Sequence, residues 1–232
     1  MFIFISFLSA NFKEIIILML LIFVHELGHM LTALLFKWKI ERICIFPLGG
    51  VVKFDGMLNS SIFEEFLIVL MGPFFQCVFF LFLCRLDIDN LFFLNSILLI
   101  FNLLPIYPLD GGKILNLFLS YFIPYKLSLK VSFYFSFFIF FLCFVFFVFV
   151  FKSYFFIFVF IFLFFKLIFE FNNISIIYNK FLLEKYFYRY YYKKCVYCDD
   201  VFSFYRNRNH YFYMNDVLVS ERTFLKNYFN VF

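Results

Sequence analysis

The run from residue 15 to residue 36 is long and apolar enough to cross a bilayer, for which about 20 residues suffice, yet it carries His25, Glu26 and His29. An ionisable group at that depth costs about 2.5–3.5 kcal/mol on insertion scales, so it persists only when paired, coordinated to a metal or lining a wet cavity. The segment must therefore be a helix whose polar face has a use inside the membrane. Residues 63–84, 91–107, 131–151 and 154–171 qualify as further spans, the last two joined only by Lys152 and Ser153 in a tight hairpin. Residues 1–10 are apolar but about half the required length; a short span, a re-entrant segment and the remnant of a longer helix stay open as readings. The run at 15–36 cannot be a cleavable signal, because it holds the residues that carry the chemistry. The expected fold is an all-α polytopic membrane protein with five to six transmembrane helices, a short membrane-associated β-hairpin and a small cytoplasmic tail.

Composition agrees with a bilayer environment. At 66% hydrophobic residues and a mean hydropathy of +0.97, the chain carries more apolar surface than one soluble core can hide. The 48 phenylalanines run through nearly every apolar segment, which reads as a compositional bias and not as an aromatic site. The formal charge of +5 comes from basic residues that flank apolar runs, so nucleic acid is not an expected partner. If each of the five segments crosses once, residues 37–61, residues 113–130 and the C-terminal tail share one side. Most Lys and Arg fall there, with Lys13, Arg85 and Lys152 on the other, and the positive-inside rule places the C-terminus in the cytoplasm.

Alternation over residues 43–54 predicts a hairpin with its turn near Gly49-Gly50, with an edge able to pair with an extended substrate. From Asn172 the composition shifts to Tyr, Lys, Asn and Asp, dividing a membrane domain (1–171) from a tail (172–232) with a periodic patch at 181–187. Cys44, Cys77, Cys84 and Cys143 read as small buried hydrophobes. The pair Cys195 and Cys198, with His210 downstream, lacks a second Cys pair and reads as a chance spacing.

His25-Glu26-Leu27-Gly28-His29 is an instance of H-E-x-x-H. Spacing of i and i+4 puts both imidazoles on one helical face, about 5–6 Å apart at Cβ, where one zinc ion can bridge them. Glu26 stands beside them, able to take a proton from water, which is the template known for this motif in metalloproteases. Two histidines leave a catalytic zinc one protein ligand short. The other unexpected polar cluster is residues 102–112, where Pro105 and Pro108 break a helix and Gly111-Gly112 lets the backbone turn tightly. Asp110 is thereby expected on irregular backbone, either at membrane depth or in a surface turn.

Together the two motifs resemble the site-2 protease family of intramembrane zinc metalloproteases, which pairs H-E-x-x-H with N-x-x-P-x-x-x-L-D-G-G; both match without a gap. The resemblance implies Zn2+ as cofactor, Asp110 as the third ligand, and Asn102 and Pro105 as residues that shape the substrate groove. Met71-Gly72-Pro73 is similar to a further family element, where a small residue permits close helix packing.

Residues 46–50, 105–113 and 181–186 are similar to the sporulation branch of that family. This implies a membrane-associated sigma-factor precursor as substrate, membrane-embedded inhibitory proteins as partners and the mother-cell membrane around the forespore as location. The chain departs from that branch in a shortened or absent first helix and in a tail smaller than its nucleotide-sensing domain. A general site-2-type protease of membrane proteins or signal remnants is the alternative. A metal transporter would need more polar residues than the other apolar runs offer, and an intact Glu26 argues against a silent scaffold.

Overall fold

The computed structural model of the chain describes residues 12–38, 40–46, 49–54, 58–86, 90–151, 154–188, 190–214 and 217–230. Helix α1 (Phe12–Leu35) leads into an antiparallel hairpin of β1 (Ile40–Phe46) and β2 (Gly49–Phe54), then α2 (Ile62–Leu83) and α3 (Leu91–Leu103). Next come α4 (Asp110–Phe122), α5 (Tyr125–Phe151), α6 (Tyr154–Asn172) and α7 (Ile174–Phe187). The chain continues through β3 (Cys195–Cys198), β4 (Asn209–Met214), β5 (Val217–Ser220) and α8 (Glu221–Asn230). Contacts divide it into one compact unit of Met1–Met57 with Phe63–Leu104 and another of Leu58–Ile62 with Pro105–Phe232.

Among the described residues three helices are long and apolar enough to cross a membrane, within α1, α2 and α5; a fourth span results if α6 and α7, bent by 47° at their break, count as one. The run at 91–107 differs from expectation. Its helix stops at Leu103 because Pro105 disfavours helical backbone at Leu104, which is extended (φ −58°, ψ 133°). Thirteen residues are fewer than a simple span needs. Helix α5 starts at Tyr125, ahead of the expected 131, because Tyr125, Ser128 and Leu129 already belong to its buried face. Residues 1–10 and the link at 152–153 lie outside the described residues. The hairpin exists, but its glycines sit within β2, Gly49 opposite Phe46 and Gly50 opposite Ile45, so the connection falls at 47–48, also outside the described residues.

In the first unit, α1 and α2 form an antiparallel pair closed at one end by Trp38, Ala33 and Ile68, with the Trp38 indole donating to Glu64 at 3.3 Å. At the other end of α1, Asn90 Nδ2 donates to Glu14 at 2.8 Å, which ties down the start of α3. Large apolar side chains such as Phe23, Leu81 and Phe92 stay exposed, Phe92 at 74%, as expected of surfaces that meet lipid.

The second unit has the larger core. Tyr125, Leu129 and Phe133 of α5 pack with Tyr178, Phe181 and Leu182 of α7, with Phe204, with Phe212 of β4 and with Leu225 of α8. Each such burial contributes about 1.5–3 kcal/mol. The periodic patch at 181–187 thus supplies core residues. The tail also contains a sheet that the sequence did not announce: order β3-β4-β5, with β3 parallel to β4 and β4 antiparallel to β5.

Beneath that sheet Lys185, buried on α7, donates to both oxygens of Glu221 at 3.2 Å and to the Arg208 carbonyl at 3.1 Å. His210 Nδ1 donates to Glu221 at 2.9 Å, and its Nε2 accepts the Tyr205 amide at 2.8 Å. Burial holds His210 below its ordinary value against the pull of Glu221. Burial alone would raise Glu221, but the His210 N–H and the Lys185 ammonium outweigh it and hold the carboxyl below its usual range. Both groups bind protons more weakly when folded, so their contribution is complete above the ordinary imidazole value of 6.5 and declines as pH falls. Hydrogen exchange of Asn209–Met214, corrected for intrinsic rates, is expected to accelerate as pH drops from 8 towards 5.5; a flat profile would contradict this account.

Candidate metal centre

One face of α2 supports the motif on α1. Ile68, Gly72 and Gln76 recur every fourth residue and so share a helix face. His29 Nδ1 donates to the Ile68 carbonyl at 2.8 Å, and His25 Nδ1 donates to Gln76 Oε1 at 3.0 Å. Between these anchors Gly72 makes room for a ring: a Cβ there would lie 2.3 Å from His29 Cε1 and Nε2. Gly28 on α1 does the reciprocal job, since a Cβ there would lie 2.4 Å from the Met71 carbonyl oxygen. The small residue expected at Met71-Gly72-Pro73 therefore admits an imidazole as well as close packing.

With both Nδ1 atoms donating, the two Nε2 atoms present their lone pairs to each other at 3.1 Å, the rings edge-on and buried. Two lone pairs at that distance suit a shared cation. The separation also fits two nitrogens each about 2.0–2.1 Å from one zinc ion. Glu26 follows His25 on the same helix and is half-buried.

The remaining predicted residues lie around the helix break. Asn102 is in the last turn of α3. Pro105 and Asp110 belong to the second unit, where the surroundings differ from the predicted turn. Asp110 is the first residue of α4 and is buried; Gly111 and Gly112 are helical. The reason for glycine at 112 is a close approach: a Cβ would meet the Tyr107 amide nitrogen at 2.5 Å and the Ile106 carbonyl carbon at 2.6 Å. A helix N-terminus favours a carboxylate, and Lys113 Nζ donates to Asp110 Oδ1 at 3.0 Å.

The backbone groups freed by the prolines are held by a residue that sequence reading passed over. Ser136 Oγ accepts the Tyr107 amide at 2.9 Å and donates to the Ser132 carbonyl at 2.7 Å. Ser128, Ser132 and Ser136 are fully buried at helical spacing on α5, with the Asn116 side chain of α4 lying 3.2 and 3.4 Å from the first two hydroxyls. That i, i+4 recurrence was the available signal. Cys195 is exposed and Cys198 buried, and both ring nitrogens of His210 are engaged with Glu221 and Tyr205, which leaves that trio no metal-ligand geometry.

The chain is similar to known proteins over this region. The family model described as peptidase family M50 matches residues 13–86 and 88–146, more than half of the chain. Stage IV sporulation protein FB of Bacillus subtilis is 37% identical over 123 residues, covering 49% of this chain and 42% of that protein. A zinc metalloprotease of Methanocaldococcus jannaschii is 34% identical over 117 residues, covering 45% of this chain and 34% of that one. The chain spans less than half the length of these curated relatives. The solved site-2 protease from Methanocaldococcus jannaschii matches with a TM-score of 0.56 at 28% identity, over 68% of this chain and 77% of its own.

Two substitutions test the local geometry. Gly72→Ala is expected to displace the His29 ring, at a stability cost of about 1–3 kcal/mol for overpacking. Ser136→Ala, which removes the acceptor of the Tyr107 amide, is expected to cost about 1–3 kcal/mol in thermal unfolding of the detergent-solubilised protein. Wild-type thermal stability in Gly72→Ala would contradict the packing account.

Proposed function

The chain belongs to peptidase family M50, and from that premise we propose that it is an intramembrane zinc metalloprotease of the site-2 type in which His25, His29 and Asp110 hold the metal and Glu26 is the catalytic base. The observation that carries the proposal is the convergence of the His25 and His29 Nε2 atoms at 3.1 Å on an apolar helix, with both Nδ1 atoms anchored. Asp110 as third ligand is supported by its position in the family motif and by its burial at the start of α4.

When bound, zinc supplies a Lewis acid that polarises the scissile carbonyl and eases ionisation of water near neutral pH. Glu26 takes the proton from the attacking water and returns it to the leaving amine. The substrate must be extended at the cleavage point, since a helix hides its carbonyls in internal hydrogen bonds. The outer edge of the β1–β2 hairpin offers it a strand to pair with, and Asn102 and Pro105 shape the groove that receives it. Ser136 accepts the Tyr107 amide that the prolines leave outside a helix.

The protein is an integral membrane protein, and the distribution of Lys and Arg supports a cytoplasmic C-terminal tail. Likeness to stage IV sporulation protein FB supports a membrane-associated sigma-factor precursor as substrate, with membrane-embedded inhibitory proteins as regulators at the mother-cell membrane. A general protease of membrane proteins or signal remnants is the second reading, favoured by the likeness to the zinc metalloprotease of an archaeon.

Co-expression with a sporulation sigma-factor precursor, scored by gel together with zinc content, tests both levels. Wild type is expected to cleave and Glu26→Gln to retain zinc without cleaving, while His25→Ala, His29→Ala and Asp110→Ala lose both. Cleavage by Glu26→Gln would overturn the assignment of the base. Zinc retention without cleavage in wild type would leave the metal centre standing and remove the sporulation substrate.

A further inference from the structure

We infer that Gln76 and Asn95 form a positioning relay that fixes the tautomer and orientation of His25 and thereby sets the zinc affinity of the centre. The inference rests on the zinc reading above. Gln76 is fully buried on α2, where the residues beyond the first turn are otherwise apolar, glycine, proline or cysteine. Asn95 is one of two buried residues on α3, the other being Leu91.

The direction of each bond in the relay follows from its far end. Gln76 Nε2 lies 2.9 Å from Asn95 Oδ1 and 3.2 Å from the Asn95 carbonyl oxygen, both acceptors. The amide can face that pair only with its donor end, so Oε1 is the atom turned to His25 Nδ1 at 3.0 Å. An amide oxygen only accepts, so Nδ1 must carry the proton, and the neutral ring then offers its lone pair at Nε2. That is the atom facing His29 Nε2. Outer partners of this kind hold ligating imidazoles in register, and their loss typically weakens metal binding 10–100-fold.

The two histidines differ in a way that makes the inference specific. His29 is oriented by the Ile68 carbonyl, a backbone atom that no side-chain substitution removes. His25 relies on a side chain, and that side chain relies on α3. The short α3 helix thus has a role beyond crossing part of the bilayer: it presents the acceptors that keep Gln76 turned the right way.

The test measures zinc affinity of the full-length, detergent-solubilised protein by competition with a chromophoric chelator, alongside thermal unfolding. Gln76→Leu is expected to weaken zinc roughly 10–100-fold. Gln76→Glu keeps an acceptor for His25 Nδ1 but loses the donor to Asn95, so it is expected to bind zinc more tightly than Gln76→Leu. A merely structural role reverses this order, because a carboxylate among apolar side chains disturbs packing at least as much as leucine. Asn95→Leu, which leaves Gln76 in place but unoriented, is expected to fall between wild type and Gln76→Leu. Wild-type affinity in Gln76→Leu while His25→Ala loses zinc would overturn the relay and leave the metal centre intact. If Gln76→Leu does not fold, wild-type affinity in Asn95→Leu, or loss of zinc in a folded Gln76→Glu, overturns it equally. Zinc retained by His25→Ala would remove the metal reading and the relay with it.

Discussion

An imidazole in an apolar helix has two ring nitrogens and no water to satisfy them, so its neighbours must meet each one or leave it for a metal. Helix α2 meets that demand from one face. The Ile68 carbonyl and the Gln76 amide take the two Nδ1 atoms, and Gly72 leaves room for the His29 ring. The approach is possible only because Gly28 and Gly72 carry no Cβ, which at either position would lie 2.3–2.4 Å from its neighbour, well inside van der Waals contact. The rest of the first unit follows from this contact. The pair α1–α2 is pinned by Trp38 and Glu64 at one end, and α3 is held where Asn95 can complete the chain of hydrogen bonds.

The second unit solves the same problem for backbone. Pro105 and Pro108 interrupt a helix, and the amide of Tyr107 finds its partner in Ser136. Ser136 belongs to a line of buried hydroxyls, each donating to a carbonyl of its own helix, so the seam is polar yet satisfied. Asp110 then opens α4, where the unpaired amides of a first turn favour a carboxylate. Farther along, Lys185, Glu221 and His210 repeat the logic in the tail, where each buried charge is matched within hydrogen-bond distance.

Membership of peptidase family M50 gives these devices a common purpose. A protease acting within a membrane must keep a metal centre polar enough for hydrolysis while surrounding it with helices that lipid tolerates. Exposed phenylalanines on α1, α2 and α5 suit the second requirement, and Gln76 and Asn95 are buried polar side chains beside the His25 ring. Less than half of each of these curated relatives is matched by the chain.

The sequence by itself determined the membrane class, the helix bearing His25, Glu26 and His29, and the Asn102 to Gly112 motif. These are local facts: apolar run length and i, i+4 spacing are properties of one segment, and helix geometry converts them directly into a face. It also announced a break at Pro105, because the residue before a proline resists helical backbone wherever it occurs. It misread Gly111-Gly112 as a turn, since a glycine needed for close approach looks the same in a string of letters as one needed for a bend. Gln76 and Asn95 were invisible as site-supporting residues, Ser136 left only its i, i+4 recurrence with Ser128 and Ser132, and the sheet in the tail was not foreseen. Their partners lie 51, 19 and 29 residues away in the chain. Only the packing of one helix on another decides which buried polar side chain meets which acceptor, because a hydrogen bond depends on distances of a few tenths of an ångström that spacing along a single helix does not contain.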